Sequence, residues 1–133
     1  MTRFNATQFL RRVLILDAVA SGATGLLLLL GAGFLTPWLG LDVPLMQVSG
    51  AILVPYAAAV AYLATREQLN RKAVLAVAII NALWVVDSIV LLVGGWAEPT
   101  LLGILFVATQ AAVVGIFAEL QIIGLKRAKM AAA

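Results

Sequence analysis

The sequence predicts an all-α protein: a four-helix transmembrane bundle forming one membrane domain over residues 1–133. Three observations carry this. Apolar residues make up 64% of the 133 and charged residues only 11%, against about half and about a quarter in soluble domains. Four apolar stretches, at roughly 10–34, 46–65, 73–94 and 100–124, each meet the ~20 residues that a bilayer-spanning helix requires. The charge pattern supplies the third: all nine basic residues fall in three places. They are the N-terminal tail with the start of helix 1, the 2–3 connection and the C-terminal tail.

Helix 1 follows arginines and then an apolar run, which mimics a signal peptide. The run is too long for an h-region and lacks a well-placed small-x-small site, so it reads as a retained span. "GAGFLTPWLGLDVP" closes it: Gly31, Gly33, Pro37 and Pro44 are expected to break the helix, and Trp38 suits a membrane interface. Helix 2 contains Pro55, which frees the carbonyl of Ala51 and predicts a kink. "TREQLNRK" is a short charged turn. Helix 3 leads to "GGWAEPT", a tight turn with Trp96 at the interface and Pro99 opening helix 4. Two half-chains, "RRVLILDAV…LLLLLGAGFLTPW" and "RKAVLAVAI…IVLLVGGW", each run from a basic pair to glycines and a tryptophan. Either a parallel hairpin repeat or the shared needs of any in–out–in hairpin accounts for this.

The basic residues are Arg3, Arg11, Arg12, Arg66, Arg71, Lys72, Lys126, Arg127 and Lys129, while the 1–2 and 3–4 connections hold only Asp42 and Glu98. By the positive-inside rule both termini are expected in the cytoplasm. The basic end then faces anionic lipid headgroups rather than nucleic acid. There is no Cys and no His, so disulfides and the usual zinc and haem ligands are excluded. No catalytic constellation, metal site or cofactor is expected, and the chain reads as a non-enzyme.

Polar residues within the spans are the candidate site. At ~1.5 Å per residue, Asp17 lies roughly 8 Å and Glu119 roughly 10 Å from the basic flank, one inner layer. Ser21, Tyr56 and Asn81 lie near 14 Å, and Thr24, Asp87 and Gln110 in the outer half. Asp17, Ser21, Thr24 and Leu28 share a face of helix 1, beside a small face of Ala18, Gly22 and Gly25 suited to close packing. On helix 3, Asn81, Trp84 and Ser88 align, with Asp87 at the edge of that arc.

Two readings stand open for the inner acids. Asp17 and Glu119 either pair with Arg12 or Arg66 as a structural clamp, or form a carboxylate pair that carries a proton or cation. Asp87 has no base in its half of the bilayer. It is expected to be protonated and bonded to Asn81, Ser88, Tyr56 or Gln110, or to face water. The candidates for ligand, ion or proton are thus Asp17, Ser21, Tyr56, Asn81, Trp84, Asp87 and Glu119. On helix 4, Ala108, Ala112, Gly115 and Glu119 are expected to pack inward. The opposite face of Phe106, Gln110, Phe117 and Gln121 would then meet a second copy or another membrane protein.

With its length, helix count and "SGATGLLLLL…PWLGL" cadence, the whole chain resembles the small bacterial four-helix membrane proteins of the DoxX-like type. The resemblance implies a bacterial inner-membrane protein and assigns no functional residue. Small multidrug transporters are similar in helix number, length and an acid in helix 1, where Asp17 sits. They tolerate dual insertion with weak charge bias, however, and this chain is biased nine to none. The expectation is a binding or accessory subunit with a polar intramembrane core. The alternative is a proton- or cation-coupled small transporter or channel working as a parallel oligomer.

Overall fold

The computed structural model describes residues 3–95 and 97–132, with side chains described over 7–95 and 97–128. It contains four helices: α1 (Arg3–Leu39), α2 (Val43–Thr65), α3 (Arg71–Val93) and α4 (Leu101–Ala132). All four are long and apolar enough to cross a membrane. The outer surface agrees: Leu30, Phe34, Val93 and Leu101 are all more than 70% exposed. A water-soluble protein would bury such a collar, and a bilayer solvates it. The chain is an all-α, multi-pass membrane bundle.

α1 is the central strut, packed along α2 on one side and α4 on the other, while α3 packs on α4 and hardly touches α2. Small residues set this arrangement. A Cβ on Gly25 would press on Leu53 and Val54, and one on Gly50 would come within 2.5 Å of the Gly25 carbonyl oxygen. The Ala18, Gly22 and Gly25 face therefore does pack closely, and α2 is its partner. α4 meets α1 through glycines at both ends, Gly103 against the Leu39 carbonyl and Gly124 against Leu10.

Helix 1 does not break at Gly31, Gly33 or Pro37; α1 runs through all three to Leu39. Proline in the last turn removes only one hydrogen bond, so the helix tolerates it there. Termination comes three residues later. Gly40 takes φ +68°, a left-handed cap that only glycine adopts without strain. Thr100 then joins the far ends of α1 and α4, its N–H donating to the Leu39 carbonyl at 3.0 Å and its hydroxyl to that of Trp38. Trp96 and its expected interface position lie outside the described residues.

The two ends of the bundle differ in charge. Arg11, Arg12, Arg66, Arg71, Lys72, Lys126 and Arg127 gather at one end, and Asp42 and Glu98 lie at the other. Several of these bases also brace the fold. Arg11 donates to the carbonyls of Ala64 and of Arg66 and Glu67, the last two at 2.6 and 3.2 Å, covering the C-terminus of α2. Arg71 donates to the Leu125 carbonyl of α4 at 3.1 Å. Asn70 caps α3, accepting from Ala73 N–H at 3.1 Å.

Candidate functional site: a buried carboxylate network beneath an intramembrane cavity

Asp17 is fully buried in the bundle, and all four helices contribute to its surroundings. Its Oδ1 accepts from Ser21 Oγ at 3.0 Å, one turn along α1. Its Oδ2 accepts from Gln121 Nε2 of α4 at 2.8 Å and from Asn81 Nδ2 of α3 at 2.9 Å. Tyr56 of α2 places its hydroxyl 2.8 Å from the same oxygen. Asn81 Nδ2 also donates to Gln121 Oε1 at 3.0 Å. A charge-bearing group at this depth is costly unless its lone pairs are met, and here neutral donors from three other helices meet them.

Every bond to Asp17 comes from a neutral side chain, so the expected clamp with Arg12 or Arg66 is corrected. Arg12 is exposed, and the Arg66 guanidinium lies over the Tyr62 ring, 5.4 Å from its centroid. Nor does Glu119 share the layer chemically. It is exposed on the outer face of α4, so no carboxylate pair forms.

Tyr56 sits at a branch. Its hydroxyl is 2.8 Å from Asp17 Oδ2 and also 2.8 Å from Asn81 Oδ1, and it has one proton for two acceptors. With Asp17 ionised, that proton serves one oxygen and leaves the other. With a proton on Asp17 Oδ2, the acid donates to Tyr56 Oη and Tyr56 donates to Asn81 Oδ1, satisfying both. Both hydrogen-bond patterns fit the same heavy-atom positions.

A second polar group lies nearer the far end. Trp84 Nε1 donates to Gln110 Oε1 at 2.7 Å, Gln110 Nε2 donates to Ser88 Oγ at 2.9 Å, and Ser88 donates to the Trp84 carbonyl at 2.8 Å. Gln110 therefore points into its own bundle, and Gln121 is fully buried on Asp17. Phe106 and Phe117 line a cavity between the helices. The expected partner face of α4 is in fact its inward face, while Ala108, Ala112 and Glu119 are exposed. Two stripes of α4 carry small residues, and the inward one holds Gly103, Ala111 and Gly124. A helix apolar all round gives no hydrophobic preference between them.

Two cavities flank the Trp84–Gln110 bond. One, of about 270 Å³, is floored by Ser21, Tyr56 and Asn81 of the Asp17 network. The other, of about 260 Å³, is walled by Leu28, Met46, Trp84 and Phe106 and carries Ser49, Ser88 and Asp87. Thr24, Ile52, Trp84, Phe106 and Gln110 line both, so the two are neighbouring chambers of one space between the helices. Asp87 is exposed and makes no side-chain hydrogen bond among the described residues. The expectation of a dry Asp87 bonded to Asn81, Ser88, Tyr56 or Gln110 is corrected: Asp17 takes Tyr56 and Asn81, and Gln110 takes Ser88.

No protein-family model matches the chain, and no curated protein or solved structure is detectably similar to it.

Proposed function

We propose that this protein is a non-enzymatic, membrane-embedded binding protein that holds a small amphipathic molecule between its four helices. The observation that carries this is the two-chambered cavity running from the Asp17 network to Asp87. Its walls are apolar and aromatic, with a few convergent polar groups, the composition of small-molecule sites. The thin contact between α2 and α3 offers such a molecule lateral entry from the bilayer. The charge asymmetry of the bundle supports an orientation with both termini and the basic end in the cytoplasm, against anionic headgroups; placement in a bacterial inner membrane rests on the whole-chain resemblance alone.

The test uses Trp84 as reporter. In a Trp38→Phe, Trp96→Phe background reconstituted in phosphatidylcholine nanodiscs, 4-bromobenzyl alcohol should quench Trp84 saturably. Ser49→Phe, which fills one chamber, should weaken that binding. Quenching that rises linearly without saturation, as for a tryptophan open to lipid, would refute the reading.

A second reading, proton-coupled transport of the same molecule, is favoured by the position of Tyr56 between two acceptors. It requires that Asp17→Asn keep binding and lose proton-linked flux in proteoliposomes.

A further inference from the structure

We propose that the ligand class of this site is an organic cation with an apolar body, its charge held by Asp87. The inference rests on the binding reading above and adds the sign of the ligand. Asp87 is the only ionisable side chain lining the chamber it enters, about 9 Å from the end of α3 at Val93 on the helical rise. All nine bases of the sequence lie in the segments at the opposite end. The chain therefore offers Asp87 no countercharge, in a setting where an unpaired carboxylate is strongly disfavoured.

A metal ion does not fit this position. Among the described residues no three acidic side chains gather to hold one, and the nearby Gln110 amide is engaged by Trp84 and Ser88. A positively charged amine or quaternary ammonium asks less of its site: one carboxylate, aromatic surface and room for its substituents. Trp84 and Phe106 line the same chamber as Asp87, and aromatic faces attract such cations when water is scarce. Leu28, Leu41 and Met46 then receive the apolar part.

Benzyltrimethylammonium and neopentylbenzene test this directly, because they share a shape and differ only in a quaternary nitrogen for a carbon. Each is used to displace 4-bromobenzyl alcohol from the Trp84-only protein in phosphatidylcholine nanodiscs. The cation should compete at least about tenfold better than the neutral isostere, and Asp87→Asn should bring the ratio close to one. Asp87 is exposed, so that variant keeps the fold, which far-UV circular dichroism verifies; the wild-type ratio needs no variant. Equal competition by the two compounds would overturn the cation inference and leave the cavity reading intact. A cation preference that persists in Asp87→Asn would overturn the role of Asp87. Quenching by the bromo compound that never saturates would overturn both readings together.

Discussion

Replacing Asp17 by leucine removes the acceptor on which three other helices converge, and the cost follows from what each donor does next. Tyr56 retains Asn81 Oδ1, and Asn81 retains Gln121 Oε1. Ser21 turns to a backbone carbonyl one turn back, as helical serines do. Only Gln121 Nε2 is left with no acceptor among the described residues, at 0% exposure. Interhelical side-chain bonds in membranes average ~0.6 kcal/mol and reach ~1.7. Three of them, with one donor stranded, give about 2–5 kcal/mol. Asp17→Asn behaves differently. Its amide oxygen can occupy the Oδ2 position and accept from the same three groups, while its NH₂ faces Ser21 Oγ. The expected cost is about 0–2 kcal/mol, the upper end applying if the native bonds are charge-assisted. Unfolding by SDS titration from mixed micelles, followed by far-UV circular dichroism, measures both. Asp17→Leu as stable as wild type, within about 0.5 kcal/mol, or Asn costing as much as Leu, would refute the assignment of Asp17 as the acceptor that ties the helices together.

Gln110→Leu strands the indole N–H of Trp84 and the Ser88 contact; it should cost about 1–2 kcal/mol, shift Trp84 emission, and leave the oligomeric state unchanged on size-exclusion with light scattering. Gly50→Val drives a side chain into the Gly25 backbone, so α1 and α2 must separate. It should abolish folding or cost more than about 3 kcal/mol in the same SDS titration, whereas Gly33→Ala, with nothing near its Cβ, should be neutral or better. For orientation, a cysteine replacing Glu98 should react with a membrane-impermeant maleimide in intact cells and one replacing Gln68 should not; the reverse pattern would overturn the cytoplasmic placement of the basic end.

Much of the architecture was legible because lipid imposes a coarse rule on composition: four long apolar runs with bases at one end leave little but a helical bundle. The Ala18, Gly22 and Gly25 face was legible for the same kind of reason, since small residues at helical spacing mark close approach. Rotation and partnership were harder. α4 is apolar on every side, so hydrophobicity is silent about which face turns inward, and the exposed small stripe reads from sequence as well as the buried one. Spacing thereby puts Gln121 on a partner surface, although one signal speaks against it. It lies five residues from Lys126, just as Asp17 lies five from Arg12, so the two share a depth on antiparallel helices. Asp17 is shallow enough on helical spacing to reach Arg12 or Arg66, but Arg12 is exposed and the Arg66 guanidinium lies over the Tyr62 ring. For Asp87 the sequence leaves two states open, bonded to partners within the bundle or facing water. Those partners were already engaged elsewhere, a fact of three-dimensional competition that spacing along one helix does not contain.

The native chain has no cysteine, which allows the cavity itself to be interrogated without background. A single Ser49→Cys places a thiol in the chamber that holds Asp87, and Ala112→Cys places one on the exposed outer face of α4. The account predicts that methyl methanethiosulfonate modifies the Ser49 variant in nanodiscs and that 4-bromobenzyl alcohol, the neutral ligand of the cavity test, slows this reaction several-fold, on the order of ligand occupancy. The Ala112 variant should show no such protection. If Ser49→Cys is unreactive, or reacts at a rate the ligand does not change, the space between the helices is not a binding site and the central claim fails.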